Sequence, residues 1–478
     1  MDASAASSAS GVPSAGGLPT SNKSHGAVIM VSIAAALGGF LFGYDTAVIN
    51  GTVDAIQAQF GMSAGLLGFV VSSALLGCAV GAWFAGPLAD RFGRVRIMLV
   101  AAALFAISAI GSALAFAPWD LTIWRVVGGL AVGAASVIAP AYIAEMAPAE
   151  LRGRLGSLQQ LAIVTGIFVA LLVDYLLAAS AGGAEQPVPW GGDAWRWMFA
   201  SAAIPALIYG IVALRIPESP RYLVRKDMLV KAREVLVRFV GGDVDGRISE
   251  IQRSLGTGEE DVHLRDLRGP RFGLLPIVWI GILLSVFQQF VGINVIFYYS
   301  TTLWRSVGFD ESNALLITVI TSVTNILTTL VAIALIDRIG RRPLLIIGAS
   351  GMVVTLGTLA LCFSQATGSG DNLRLVGAYG TVALIAANLY VVAFGMSWGP
   401  VVWVLLGEMF NNRIRATALA VAAAAQWIAN WLVSTTFPVL ADLGLVFAYG
   451  IYTVFAALAL IFTLRSIKET KGRELEDM

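Results

Sequence analysis

Apolar residues along the chain form long runs that are separated by short polar segments. Twelve runs reach about 20 residues, the length that a helix needs to cross a bilayer. They begin near Ala27, Ala64, Val95, Leu121, Leu155, Trp197, Leu274, Ala314, Leu344, Leu375, Ala416 and Leu445. The pattern predicts an all-α membrane protein with twelve spans, numbered here 1 to 12 in chain order.

The segment between spans 6 and 7 is polar and much longer than the other connections. From Arg221 to Phe239, apolar residues recur at helical spacing among charges, which predicts short amphipathic helices on the cytoplasmic face. The first 26 residues are rich in Ala, Ser and Gly, which is typical of disorder. We therefore predict a disordered cytoplasmic tail, a six-helix bundle, linker helices, a second six-helix bundle and a second cytoplasmic tail. Their ranges are 1–26, 27–216, 217–272, 273–466 and 467–478.

The composition agrees with a protein whose solvent is lipid. Hydrophobic residues make up 57% and charged residues 13%, whereas soluble domains carry about 25% charge. A net charge of +1 gives no support for a nucleic-acid partner. The two cysteines, Cys78 and Cys362, fall inside apolar runs, so we interpret them as core residues and expect no metal site.

Basic residues are distributed unevenly among the polar segments, and this asymmetry predicts the orientation. With the amino terminus inside, most of them fall in cytoplasmic segments, as the positive-inside rule requires. The distribution predicts a multi-pass protein of the cell membrane with both termini in the cytoplasm.

The two halves of the chain repeat the same charged residues at matching places. An acid–base group follows spans 2 and 8, and a glutamate with an arginine seven residues later follows spans 4 and 10. The repeat predicts two pseudo-symmetric six-helix bundles. We predict that these charges form a cytoplasmic gate, which clamps the halves together while the outside is open. The alternative is that they only set topology and cap helices. The gate residues are Asp90, Arg91, Arg94, Glu145, Arg152, Asp337, Arg338, Arg341, Glu408 and Arg415.

An ordered set of motifs extends from the first span to the carboxyl terminus. It comprises Gly39–Asp45 in span 1, the loops at Asp90 and Asp337, Pro217–Arg221, Gln288–Gln289 with Gly292–Asn294, and Glu469–Gly472. This set resembles the sugar porter family of the major facilitator superfamily, especially its bacterial sugar–proton symporters of the xylose and hexose type. One departure is Lys468, where the family usually has proline. The resemblance implies the major facilitator fold and transport rather than enzymatic activity.

Asp45 and Arg125 are ionisable residues inside predicted spans, where a charge is costly and usually functional. Asp45 lies in the outer part of span 1 and Arg125 in the outer part of span 4, at similar depth. We predict that they pair, and that protonation of Asp45 couples proton movement to transport. The alternative is a static ion pair. The resemblance favours coupling, because proton-coupled relatives have aspartate here and animal facilitators typically have asparagine. Asp174, near the outer end of span 5, is predicted to be solvated.

A neutral sugar requires side chains that both donate and accept hydrogen bonds, together with aromatic surfaces. The second half supplies Gln288, Gln289, Asn294, Asn325 and Gln426 inside spans. A lone amide would be interpreted as an interhelical hydrogen bond, but this cluster predicts a polar binding cavity. The resemblance assigns sugar contacts to these positions and also to Gln160, Trp403 and Trp427.

These observations predict secondary active uptake of a hexose, with glucose favoured, by proton symport and alternating access. The expected partners are the sugar, the proton and the bilayer, with no cofactor and a monomeric protein. A facilitative uniporter is the main alternative. A sugar-sensing receptor is disfavoured by the short tail after Arg465, and an ATP-driven pump by the lack of a phosphate-binding loop motif.

Overall fold

The computed structural model describes residues 22–146, 152–240, 243–256, 267–269, 273–367, 374–410 and 414–470. Within these residues, twelve helical segments are long and apolar enough to cross a membrane. They are Val28–Phe60, Ala64–Phe92, Arg94–Ala113, Pro118–Met146, Leu158–Ala181, Ala194–Ala213, Pro276–Tyr298, Glu311–Ile336, Arg341–Ser364, Ala378–Met409, Thr417–Leu443 and Leu445–Ser466. The prediction of twelve spans is confirmed, and no predicted start differs by more than three residues.

Four spans are interrupted rather than continuous, and further helices extend or connect the spans. Interruptions expose backbone groups that side chains must satisfy inside a membrane. Span 1 divides into Asn22–Val48, a 3-10 turn at Asn50–Thr52 and Val53–Phe60, and span 6 divides into Ala194–Ser201 and Ala203–Ala213. Span 7 divides into Pro276–Phe290 and Ile293–Tyr298 and is followed by the helix Ser300–Ser306. Span 10 divides into Ala378–Gly395 and Trp398–Met409. The helices of spans 5, 8 and 11 extend over Arg152–Ala181, Glu311–Ile339 and Arg415–Leu443.

Glycine permits the closest helix crossings inside the first bundle. A Cβ atom on Gly43 would overlap the carbonyl oxygen of Ile163, and one on Gly129 would overlap that of Ala74. These contacts join span 1 to span 5 and span 2 to span 4. Small residues bring membrane helices together because packing, rather than the hydrophobic effect, drives their association. Cys78 and Cys362 are free and buried, as predicted.

The two bundles contact each other at one end of the molecule, which we call the Asn50 end. The Asn50 side-chain amide donates to the Phe297 carbonyl oxygen at 3.0 Å. Arg305 forms an ion pair with Asp54 at 2.7 Å. Ser72 of span 2 hydrogen-bonds to Thr435 of span 11 at 2.6 Å, and Glu311 of span 8 accepts the Ala184 N–H at 2.7 Å. These contacts close the molecule at the Asn50 end.

The linker between the bundles forms short helices at the opposite end, which we call the Glu145 end. They are Pro220–Arg225, Leu229–Val235, a π-helical turn at Leu236–Val240, and Val244–Gly256. Tyr142 of span 4 donates to the Pro217 carbonyl oxygen at 2.6 Å, and Arg225 pairs with Asp90 at 2.9 Å. The linker therefore begins in contact with the first bundle.

Both predicted tails are shorter than expected where the structure describes them. The first helix begins at Asn22, inside the tail predicted for 1–26. After span 12, Ile467 and Thr470 are buried, so residues 467–470 pack against the second bundle and are not a free tail. Residues 1–21 and 471–478 lie outside the described part of the chain.

Candidate functional site

Asp45 of span 1 and Arg125 of span 4 are in direct contact. An Arg125 Nη1 atom donates to Asp45 Oδ1 at 2.9 Å, and only 6% of Asp45 and 4% of Arg125 are exposed. The Arg125 Nε atom is buried and has no hydrogen-bond partner within the described structure. The ion pair is thus shielded from water, and one hydrogen-bond donor of Arg125 is unused. Its stability is therefore sensitive to any change in the charge of either side chain.

A small cavity of about 10 Å³ borders this ion pair, which is at most the space of one water molecule. Asp45, Arg125 and Cys78 line it from the first bundle, and Tyr298 lines it from span 7 of the second bundle. The ion pair therefore lies where one bundle meets the other, and a change in its charge acts directly at their boundary.

Three amides of span 7 form a continuous hydrogen-bonded chain. Asn294 donates to Gln289 Oε1 at 2.6 Å, and Gln289 donates to Gln288 Oε1 at 3.4 Å. Gln288 Nε2 donates to the carbonyl oxygens of Trp398 and Gly399, at 2.8 and 3.1 Å. These carbonyls lie just after the interruption of span 10. Gln288 thus joins span 7 to the first turn of the second helix of span 10, in addition to any contact with a ligand.

Gln426 and Trp427 of span 11 differ from the span 7 amides because they are only half-buried. Gln426 Oε1 is a buried oxygen without a hydrogen-bond partner in the described structure. The Trp427 ring packs edge-on against Phe42 of span 1, with ring centroids 5.6 Å apart. An unpartnered amide oxygen beside an aromatic pair between the two bundles is a suitable environment for a sugar hydroxyl and ring face.

The remaining predicted sugar contacts are more dispersed. Asn325 is buried, and its Oδ1 atom lies 3.4 Å from where a Cβ of Gly395 in span 10 would stand. Gln160 is half-buried, and Trp403 is 40% exposed. The neighbour Gln159 was not predicted; it lies against Gly39 of span 1 and has an unpartnered Oε1 atom.

A compact ionic cluster occupies the Glu145 end of the first bundle. Arg94 donates to both carboxylate oxygens of Glu145, at 3.0 and 2.8 Å, and Ser219 donates to the same carboxylate. Glu218 accepts the N–H groups of Arg94 and Val95 at 2.9 and 3.2 Å, and so caps the start of span 3. Burial raises the pKa of Glu218, although its backbone hydrogen bonds oppose this.

The second bundle repeats this cluster with different residues. Arg341 donates to both oxygens of Glu408 at 3.0 and 2.7 Å, and Thr470 donates to Glu408 at 2.6 Å. Glu469 accepts the N–H groups of Arg341 and Arg342 at 3.0 Å each. Glu218 and Glu469 therefore perform the same local function, although neither was predicted as a site residue.

A glycine with positive φ precedes the capped helix in both clusters. Gly93 has φ 102° and Gly340 has φ 103°, values that favour glycine. A Cβ on Gly340 would lie 2.8 Å from a Glu469 carboxylate oxygen, and one on Gly93 would overlap Glu218. Glycine at each turn thus leaves room for the capping carboxylate.

Each arginine–glutamate pair joins helices of the same bundle rather than the two bundles to each other. Asp90 pairs with Arg94 at 2.9 Å and with Arg225 of the linker. Arg91 and Arg338 are exposed. The side chains of the other predicted gate residues, Arg152, Asp337 and Arg415, lie outside the described part of the structure.

The expectation that Asp174 is solvated is wrong. This side chain is 0% exposed, and its Oδ2 atom accepts the Gly51 N–H at 3.3 Å. The residues that close the Asn50 end were also missed, because their pairing across bundles depends on the fold. Complementary charges on Asp54 and Arg305, each near the end of a span, were the available signal.

Comparison with known proteins gives a consistent result. A family model described as "Sugar (and other) transporter" matches residues 31–478. The chain is 60% identical over 454 residues to the "Glucose transport protein" of Synechocystis sp., covering 94% of this chain and 97% of that protein. It is 40% identical over 490 residues to the "D-xylose-proton symporter" of Escherichia coli K12, covering 94% and 95%.

The solved structures that resemble this fold include two inward-open forms of the xylose transporter XylE from E. coli. The partially occluded inward-open form has a TM-score of 0.81 at 39% identity, covering 94% of this chain and 100% of that one. The inward-open form has a TM-score of 0.80 at 40% identity, covering 94% and 98%.

Proposed function

The chain belongs to the sugar porter family of the major facilitator superfamily, and we propose that it carries a hexose into the cell together with a proton. It is a multi-pass plasma-membrane sugar transporter and not an enzyme. Glucose is the proposed hexose. The glucose transport protein of Synechocystis is identical at 60% of aligned positions, against 40% for the xylose symporter of E. coli.

The observation that carries the proposal is the Asp45–Arg125 pair at the boundary of the bundles. While Asp45 is ionised, Arg125 holds it at 2.9 Å and ties span 1 to span 4. Protonation removes the negative charge, so the attraction between the two side chains is lost and span 1 is released. Because Tyr298 of the other bundle lines the same cavity, this change biases the equilibrium between the outward-open and inward-open forms.

The sugar site lies between spans 7, 8, 10 and 11, with Gln160 of span 5 completing it from the first bundle. Gln426 and Trp427 supply a free acceptor and an aromatic face, and Gln288 joins span 7 to span 10. Asn325 and Trp403 are the further proposed contacts. A neutral ligand needs no charged partner, which fits a site built from amides and indoles.

The Asn50 end is the proposed extracellular side and the Glu145 end the proposed cytoplasmic side. The structure is then an inward-facing form, in keeping with its similarity to inward-open relatives. In the outward-open form, the mirrored clusters around Glu145 and Glu408 approach each other and act as the cytoplasmic gate. The predicted two bundles, linker, cytoplasmic termini and monomeric state complete the proposal.

An uncoupler separates this proposal from the uniporter alternative. Collapse of the proton gradient is expected to remove concentrative glucose uptake by the symporter, because a proton gradient is its only source of energy. The measurement is uptake of labelled glucose by cells or vesicles with and without the uncoupler, with downhill exchange as the control. Uptake that never exceeds equilibration, and that the uncoupler leaves unchanged, would identify a uniporter.

A further inference from the structure

Among the carboxyl groups that the structure describes, Asp174 is the most deeply buried one outside the proposed mechanism. It lies in span 5 and is 0% exposed. One oxygen accepts a single backbone hydrogen bond, from Gly51 at 3.3 Å, and the other has no partner in the described structure. The fit against the turn is close, since a Cβ on Gly51 would lie 2.7 Å from Asp174 Cβ.

Within the described residues, the charged groups on neighbouring elements have other partners, and none compensates a negative charge at Asp174. On span 1, Tyr44 bonds to Ser201 and Asp45 is paired with Arg125 of span 4. On span 8, Glu311 binds the Ala184 N–H. On span 6, Arg196 donates to the carbonyl oxygens of Ala113 and Ala115 and pairs with Asp193. A buried carboxylate with one hydrogen bond and no cation is strongly unfavourable, whereas the neutral acid is tolerated.

The turn that contacts Asp174 is also part of the closure between the bundles. The Gly51 N–H donates to Asp174. The adjacent residue, Asn50, donates to the Phe297 carbonyl oxygen and accepts the Thr301 N–H at 3.2 Å. Opening of the Asn50 end must pull this turn away from span 7 and admit water beside Asp174. Closure therefore buries the carboxyl group, and opening hydrates it.

We propose that Asp174 binds a proton each time the Asn50 end closes and returns it to the outer medium each time that end opens. This inference rests on the proposed alternating-access function, and adds a proton that biases the equilibrium of the outer gate without crossing the membrane. Asp174 lies against Gly51. Gly51 is six positions beyond Asp45 and about 9 Å farther toward the Asn50 end. Asp174 is fully buried in this structure, which the proposed function assigns as inward-facing, and so is not in contact with the cytoplasm in that form.

The test measures opening of the Asn50 end directly, in a background where Asp45 does not titrate. Asp45→Asn is combined with Cys78→Ala, Cys362→Ala and Ser72→Cys. Ser72 is fully buried in the contact with Thr435, so a cysteine there reacts only when the end opens. A membrane-impermeant thiol reagent is applied from outside over a series of outer pH values. The rates are divided by those of Ser180→Cys, an exposed position near the same end, to cancel the titration of the thiol.

With Asp174 present, the normalised labelling rate is expected to rise with outer pH, by up to about tenfold per pH unit. Asp174→Asn, which mimics the neutral acid, is expected to label slowly and independently of pH. Asp174→Ser provides a second non-titrating variant with a smaller side chain. A flat profile with Asp174 present, or a surviving pH dependence in both variants, overturns the proposal.

A second measurement separates this inference from the proposed symport. With Asp45 intact, Asp174→Asn is expected to take up the same number of protons per glucose as the parent. Fewer protons per glucose would mean that Asp174 carries a transported proton, and would contradict the inference. If the parent itself moves no proton with glucose, the symport proposal fails, while the labelling experiment still decides the role of Asp174.

Discussion

Asp45→Asn is expected to abolish uphill accumulation of glucose while glucose exchange across the membrane persists. Asparagine is nearly the same size but carries no proton and no charge, so the ion pair with Arg125 is lost and span 1 is permanently released. The lost driving force is large. One charge crossing a potential of 100 mV is worth about 2.3 kcal/mol, or roughly fifty-fold accumulation of a neutral sugar. The measurement is the ratio of internal to external labelled glucose in energised vesicles.

The matched control is Asp120→Asn, in the same span as Arg125. Asp120 is also buried, but its oxygens accept the Trp124 indole N–H and the Phe116 N–H, which is a local helix-capping role. This variant is expected to accumulate glucose normally if it reaches the membrane. Full accumulation by Asp45→Asn would remove Asp45 from the mechanism, and loss of exchange together with accumulation would indicate a structural role for the pair.

Gln426→Ala is expected to raise the apparent KM for glucose about tenfold or more, without a loss of protein from the membrane. The Gln426 Oε1 atom has no partner in the described protein, so its removal breaks no internal hydrogen bond. A hydrogen bond to a sugar hydroxyl contributes about 1–3 kcal/mol when its loss leaves a group unpaired, and 1.4 kcal/mol corresponds to about tenfold in affinity. The measurement is the concentration dependence of initial glucose uptake.

Asn388→Ala is the corresponding control in the second bundle. Asn388 donates to the Leu384 carbonyl oxygen at 3.0 Å and accepts from Thr324 at 3.3 Å, so its amide is used within the protein. Its replacement is expected to leave the KM unchanged. Equal KM values for the Gln426 variant and the parent would assign Gln426 to packing.

The spans could be predicted closely because a membrane requires long apolar runs whatever the tertiary fold. Their interruptions were harder to foresee. Span 10 is interrupted between Gly395 and Trp398, and the Gln288 amide of span 7 donates to a carbonyl oxygen in the turn that follows. That contact joins residues more than a hundred positions apart, and hydropathy does not contain that information.

Counting residues was sufficient for Asp45 and Arg125 because both lie on regular helices, whose rise per residue is constant. The same counting was misleading for Asp174. Its depth suggested contact with water, but the turn at Gly51 and the closure of the Asn50 end bury it completely. Burial near a membrane surface depends on which conformation the transporter adopts, and a sequence does not specify one conformation.

The repeated charges predicted the duplication but not the partners of each charge. A clamp between the halves was the hypothesis, and the structure has Arg94 with Glu145 and Arg341 with Glu408, each inside one bundle. Glu218 and Glu469 join these clusters from segments that follow the sixth and twelfth spans. Sequence spacing could not indicate this, because the partners are more than a hundred residues apart.

Proton entry with the sugar through Asp45 can be measured directly. The purified protein in liposomes with a weakly buffered outer medium is given an inward glucose gradient, and the outer pH is recorded. Symport through Asp45 is expected to produce alkalinisation of the outer medium that follows glucose entry in the parent and is absent in Asp45→Asn. Glucose entry without alkalinisation in the parent, or equal alkalinisation in the variant, would contradict it.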